Sequence, residues 1–174
     1  MKLYRYSPVT SESVLREAID YLHMESMKLC KRSLRYLPNA NVFFCHFPEE
    51  YQHLTTLRES LTESSENMYQ KYFKLQCPYV FNAKGMPETT YSYLYIRKPD
   101  PYRFHVGDID FYLPDDEYKI LKQDLIDNGE RPGMRAFPRE DLDMIELYDR
   151  DSDVLAYVST ESMTKKARVK VVNS

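Results

Sequence analysis

The 174-residue chain predicts an α+β fold, a mostly antiparallel sheet covered by about three helices in a single domain over residues 1–174. Three observations carry this reading. Apolar residues at helical spacing follow Ser11, Pro48 and Asp115. Runs with a two-residue period, above all Thr90–Leu113, lie between and after them. The composition, 43% hydrophobic and 29% charged, is that of a globular protein, and neither an internal repeat nor a low-complexity linker divides it.

Lys2–Tyr6 reads as a short strand ended by Ser7-Pro8. Thr10 or Ser11 caps a first helix, where Leu15, Ala18, Ile19, Leu22, Cys30 and Leu34 recur as far as about Tyr36. Its basic second half, Lys28, Lys31, Arg32 and Arg35, suits the negative end of a helix dipole, and Pro38-Asn39 ends it. Val42–Phe47 is a compact apolar strand. Pro48 opens a second helix with Tyr51, Leu54, Leu57 and Leu61 on one side, and Met68, Tyr72 and Leu75 suggest more helix beyond a polar break. Cys77–Phe81 reads as a strand and the AKGMPE stretch as a loop. A hairpin over Thr90–Leu113 follows. The third helix begins at Asp115 or Asp116, carries Tyr118, Leu121 and Leu125, and closes at Asn128-Gly129. Met144–Tyr148 and Val154–Val158 pair around Asp149–Ser152. Arg168–Val172 reads as an edge strand or as disordered, within a flexible basic tail over 165–174.

Only 4 glycines stand against 16 tyrosines, and no GxGxxG, GxxxxGK or GxSxG pattern occurs. Glycine-rich phosphate loops and nucleophile elbows are thereby disfavoured. No apolar run reaches the ~18 residues that span a membrane, and MKLYRYSP lacks the apolar core of a signal peptide. Cys30, Cys45 and Cys77, without a CxxC, read as reduced thiols. Together these predict a cytoplasmic protein with no membrane partner. The net charge of −3 is uneven: residues 107–154 hold 6 basic and 15 acidic side chains, and residues 1–40 hold 7 basic and 4 acidic. Such polarity steers charged partners, while the overall acidity argues against extended duplex nucleic acid.

The Thr90–Leu113 run concentrates aromatics, both charge signs and a histidine. By strand alternation, Tyr91, Tyr93, Tyr95 and Arg97 share one face, and Leu94 and Ile96 the other. In the second strand Phe104 and Val106 fall out of phase with Ile109, Phe111 and Leu113. A β-bulge near Gly107 restores a single apolar row and collects His105, Asp108, Asp110 and Tyr112 on the polar face. Matching Leu94 to Val106 and Ile96 to Phe104 sets Tyr95 opposite His105, Tyr93 opposite Asp108 and Tyr91 opposite Asp110. Arg97 then opposes Arg103, an arrangement that calls for Asp100 or a ligand anion nearby.

Other patterns are shorter. His46, Glu49, Glu50 and His53 stand at a strand-to-helix junction, with Glu50 and His53 spaced as an ExxH metal pair. His53-Leu54-Thr55 matches one HxT element of the two-histidine phosphoesterases, without the second. Asp108-Ile109-Asp110 resembles the paired aspartates of nucleotidyltransferases, which would imply a divalent metal; the Gly-Ser loop of that family is absent. Asp149, Asp151 and Asp153 resemble the start of a calcium loop, with Val154 where glycine is required. The β-α-β-β order of residues 102–158 resembles half of a glyoxalase-type module in outline only.

These features predict a ligand- or partner-binding regulatory module. Tyr91, Tyr93, Tyr95 and Tyr112 would make contacts, and Arg97 and Arg103 would hold an anionic group, nucleotide-like or on a protein. An alternative is a metal-assisted phosphate-ester hydrolase, in which Asp108 and Asp110 hold a divalent metal and His105 acts as ligand or base. A third reading is an acidic nucleic-acid mimic using residues 107–154.

Overall fold

The computed structural model describes residues 11–30, 40–84, 88–137 and 143–164. The expected strand at Lys2–Tyr6, the first helix beyond Cys30 and the basic tail at 165–174 lie outside them. The element order is α1 (Glu12–Leu29), β1 (Ala40–Phe44), α2 (Pro48–Leu61), β2 (Phe73–Phe81), β3 (Thr89–Arg97), β4 (Gly107–Leu113), α3 (Asp115–Asn128), β5 (Met134–Phe137), β6 (Met144–Leu147) and β7 (Val154–Thr160). The α+β class holds. A seven-stranded sheet runs β2-β3-β1-β4-β7-β6-β5. It is mixed rather than mostly antiparallel, because β1–β3 and β4–β7 pair in parallel.

Local chemistry sets the helix ends. The Ser11 hydroxyl accepts the Val14 N–H and caps α1. Pro48 opens α2, where a missing N–H costs nothing. Gly129, at φ 80°, follows the end of α3. All three helices bury their apolar sides on one face of the sheet. Leu15, Ala18, Ile19 and Leu22 of α1, Leu54 of α2, and Tyr118 and Leu125 of α3 share a core with Phe43, Leu94, Ile109, Phe111 and Val158. The opposite face carries a second cluster of Val42, Phe44, Met144, Leu155 and Tyr157, without a helical residue among those described.

The predicted hairpin does not form. β1 lies between β3 and β4, with Val42 beside Tyr95 on one side and Asp108 on the other. The reason is burial: all five residues of β1 are buried, so both edges and both faces of this apolar strand need neighbours. The loop after β3 crosses the end of β1, where the Asp100 N–H donates to the Cys45 carbonyl at 3.0 Å. Two half-units result, β1-α2-β2-β3 and β4-α3-β5-β6-β7. In each, the last strand returns parallel beside the first, and β1 and β4 join them antiparallel.

No bulge interrupts the β4 ladder, although the phase change expected near Gly107 is present, since Val106 and Ile109, three apart, both enter the helix-side core. β4 begins at Gly107 and runs without interruption against β7. Gly107 serves close approach instead: a Cβ there would stand 2.5 Å from the Val42 carbonyl oxygen and 2.8 Å from Leu22 Cδ2. A separate irregularity lies at the β2–β3 pairing, where the register shifts between Lys74 and Tyr79. Tyr91 and Leu94, three apart, therefore both enter the helix-side core. The helix expected around Met68–Leu75 is a turn followed by β2, and β5 was not anticipated.

Candidate functional site

The sheet separates the predicted site residues into three groups. Tyr91 leaves the set, because it is fully buried beneath α1 with its hydroxyl 2.6 Å from His23 Nδ1. His23 stacks on Phe81 at 3.9 Å, and burial lowers its pKa from 6.5 to about 4. Burial likewise pushes the Tyr91 phenol up. This pair is a structural lock between α1 and the sheet.

Tyr93, Tyr95, Arg97, Asp108, Asp110 and Tyr112 keep to the helix-free side, but with β1 between the two strands. Tyr93, Ala40 and Asp110 form one row, and Tyr95, Val42 and Asp108 the next. Asp108 and Asp110 are buried. The Tyr72 hydroxyl donates to Asp110 Oδ2 at 3.1 Å, and the Tyr72 ring packs 5.2 Å from Tyr95. Arg97 and Arg103 both lie against Phe44 rather than forming a cross-strand pair. Their guanidinium groups lie 5.0 and 4.5 Å from the centre of the Phe44 ring, with Arg103 Nε 3.7 Å from Asp100 Oδ2.

The third group lines a cleft of about 430 Å³ on the same face, within the ~300–1,000 Å³ usual for small-molecule sites. Arg103 and His105 enter it from the segment before β4, Arg135 from β5, and Arg150 from the β6–β7 turn. Phe104, Phe137, Tyr148, Leu155 and Tyr157 form its apolar surfaces. Glu146, 3% exposed, organises the floor. Its Oε1 accepts Arg135 Nε at 2.8 Å and Nη2 at 2.6 Å, and its Oε2 accepts the Tyr157 hydroxyl at 2.9 Å. That bond holds the Arg135 guanidinium charged above its already high pKa, and the guanidinium lies 5.1 Å from the Tyr148 ring centre. Arg150 has no ion-pair partner among the described residues. Burial, and then the Arg103 charge, lower the His105 pKa, with Glu146 and Asp153 opposing them. A neutral imidazole can both donate and accept a hydrogen bond.

Of the predicted residues, the cleft thus gathers Arg103 and His105; the remainder stand beside it or on the other face. Sequence reasoning missed Arg135, Glu146, Tyr148, Arg150 and Tyr157. One signal was available: Glu146 interrupts the apolar run Met144–Leu147, and a carboxylate at an inward strand position needs a cationic or hydroxyl partner.

The other motifs resolve into structure. The Glu50 Oε2 accepts the His46 backbone N–H at 2.6 Å, and His53 Nδ1 lies 3.0 Å from the Glu49 carbonyl, so the ExxH residues serve local ends. Asp149 organises the β6–β7 turn by accepting the Asp151 N–H, and Asp153 accepts the Tyr21 hydroxyl at 2.6 Å. Among the described residues no group of three or more His, Cys, Asp or Glu side chains is placed to hold a metal ion. None of their helices is long and apolar enough to cross a membrane.

No protein family matches the chain, and no curated protein is similar to it. A solved structural-genomics protein, designated EC4020, is similar in fold, with a TM-score of 0.59 and 15% identity over 98% of each chain. At that identity the likeness concerns the fold alone.

Proposed function

We propose that this chain is a binding module that holds a small anionic molecule in the cleft between Arg103, Arg135 and Arg150. The observation that carries this reading is that three arginines, from three separate segments, line one aromatic-walled cleft. Planar guanidinium forks suit phosphate and carboxylate, and the bond to Glu146 holds Arg135 in place before any ligand arrives. Arg97 and Tyr95 flank the site through Phe44 and the second cluster. The three cysteines are free thiols, in keeping with a cytoplasmic setting.

The other two readings draw less support. A metal-assisted hydrolase would use Asp108 and Asp110, but both carboxylates are buried and Asp110 already accepts the Tyr72 hydroxyl. The acidic mimic needs outward carboxylates, yet several in residues 107–154 have internal partners. Asp110 accepts from Tyr72, Glu146 from Arg135 and Tyr157, Asp153 from Tyr21, and Asp143 from Lys122.

Calorimetric titration with phosphate, pyrophosphate and adenosine monophosphate tests the proposal. At least one should bind, and Arg103→Ala with Arg150→Ala should weaken it about 10- to 100-fold, as loss of charged hydrogen bonds does, without lowering Tm. No binding by any of the three, or equal binding by the double variant, refutes it.

A further inference from the structure

Resting on the anion-binding reading above, we infer that the ligand class is a nucleoside monophosphate: one phosphate, one planar base, and a sugar between them. The charge count points to a single anionic group. The cleft presents Arg103, Arg135 and Arg150 against Glu146 and Asp149, and Arg135 is already engaged by Glu146. Arg150 has no ion pair among the described residues and Arg103 meets Asp100 only at 3.7 Å, so these two can turn to a ligand, and they arrive from different segments. A tetrahedral phosphate offers oxygens in several directions and can meet two such forks, whereas a planar carboxylate is matched by one.

The apolar surfaces ask for a ring. Phe137 and Tyr157 stand 6.0 Å apart at an interplanar angle of 42°, and Tyr148 lies beside them under the Arg135 guanidinium. Tyr157 is buried in the floor, but Phe137 and Tyr148 are only half-buried, and a base can stack on such rings where a free phosphate gains nothing from them. The polar groups nearby match a base edge. His105, held neutral, donates or accepts, and Asp149 at the rim accepts. A cleft of about 430 Å³ is roomy for phosphate alone and leaves no evident place for a polyphosphate, whose added charge would need more free guanidinium groups than two.

The test compares adenosine monophosphate, ribose 5-phosphate and inorganic phosphate by calorimetry at low salt. The nucleotide should bind at least about 10-fold tighter than ribose 5-phosphate, the contribution expected of one stacked base. Tyr148→Ala should collapse that ratio, and Phe137→Leu, which keeps bulk but removes the ring, should reduce it; circular dichroism and Tm check that each variant is folded. Equal affinity for the nucleotide and the sugar phosphate overturns this inference while leaving the anion site standing. Absence of binding by all three overturns both. A ratio unchanged in both folded variants also overturns it, since the base would then not lie on these rings.

Discussion

Replacing Glu146 by Gln should loosen the floor of the cleft and the protein together. The carboxylate is nearly inaccessible, with 4% of its side chain exposed against 45% for Arg135. Losing the charge weakens a pair whose cationic half is in water, which costs about 1 kcal/mol rather than the ~3–5 kcal/mol of a fully buried pair. The glutamine carbonyl can serve Arg135 or the Tyr157 hydroxyl but not both as the carboxylate does. A buried hydroxyl left without an acceptor adds about 1–3 kcal/mol. The sum is about 2–4 kcal/mol, or a fall in Tm of roughly 4–16 °C for a protein of this length. Urea unfolding of the two single variants and the double variant, Glu146→Gln with Tyr157→Phe, separates the parts. Tyr157→Phe removes donor and demand at once, so the pair should show a coupling energy of about 1 kcal/mol or more. A Glu146→Gln protein within about 0.5 kcal/mol of the parent, with additive double-variant energies, would refute the picture of Glu146 as the organising group.

Gly107→Ala should destabilise by about 1–3 kcal/mol in thermal unfolding, because its Cβ meets the Val42 backbone oxygen, which cannot swing away; a neutral result would mean that β1 and β4 are farther apart. His23 has a folded pKa of about 4, below the unfolded 6.5, so the unfolded chain takes its proton first. Stability should therefore be full above about pH 6.5 and fall as pH drops toward 4, by up to about 1.4 kcal/mol per unit, and His23→Gln should flatten this arm of a Tm-against-pH curve. Asn41 is completely buried between Leu94 and Ile109, with neither amide atom partnered among the described residues; Asn41→Leu should raise stability by about 1–3 kcal/mol, and a loss of that size would show that the amide is satisfied by bound water. Millimolar Mg²⁺, Mn²⁺ or Zn²⁺ should leave Tm unchanged, and a rise abolished by Asp108→Asn would revive the hydrolase reading.

Local chemistry was legible in the sequence, and long-range pairing was not. Ser11, Pro48 and Gly129 mark helix ends because caps and φ preferences act within a few residues. The β6–β7 pairing was also readable, since its turn is short and both strands are apolar. The β3–β4 hairpin failed because hydrophobic matching between neighbouring segments says nothing of a third strand that fits between them. The corrective clue was in β1: Val42, Phe43 and Phe44 are apolar on both faces, which a central position requires and an edge position does not. Strand phase points to Gly107 because Val106 and Ile109 share the core side, but the close approach of β1 that also demands glycine there is invisible in the sequence. Face membership survived for Tyr93, Tyr95, Asp108 and Asp110, because alternation depends only on each strand's own phase. Tyr91 departs from its expected face beside a register shift in β2, whose first half is obscured in the sequence by the helical spacing of Met68, Tyr72 and Leu75.

The division of labour within the cleft follows from which groups are already satisfied. On the sheet, Arg135 and Tyr157 both donate to Glu146, and Tyr72 donates to Asp110. These groups are spoken for, and altering them disturbs the scaffold. Arg103, His105 and Arg150 come from connecting segments; their removal strands no buried partner, and loops on a rigid sheet are where recognition concentrates. Floor substitutions should therefore lower Tm and ligand affinity together, whereas rim substitutions should lower affinity alone. Plotting the change in Tm against the change in binding free energy for Glu146→Gln, Tyr157→Phe, Arg103→Ala and Arg150→Ala should place the variants in two groups. A single line through all four would mean that ligand capture only reports how well the sheet is folded.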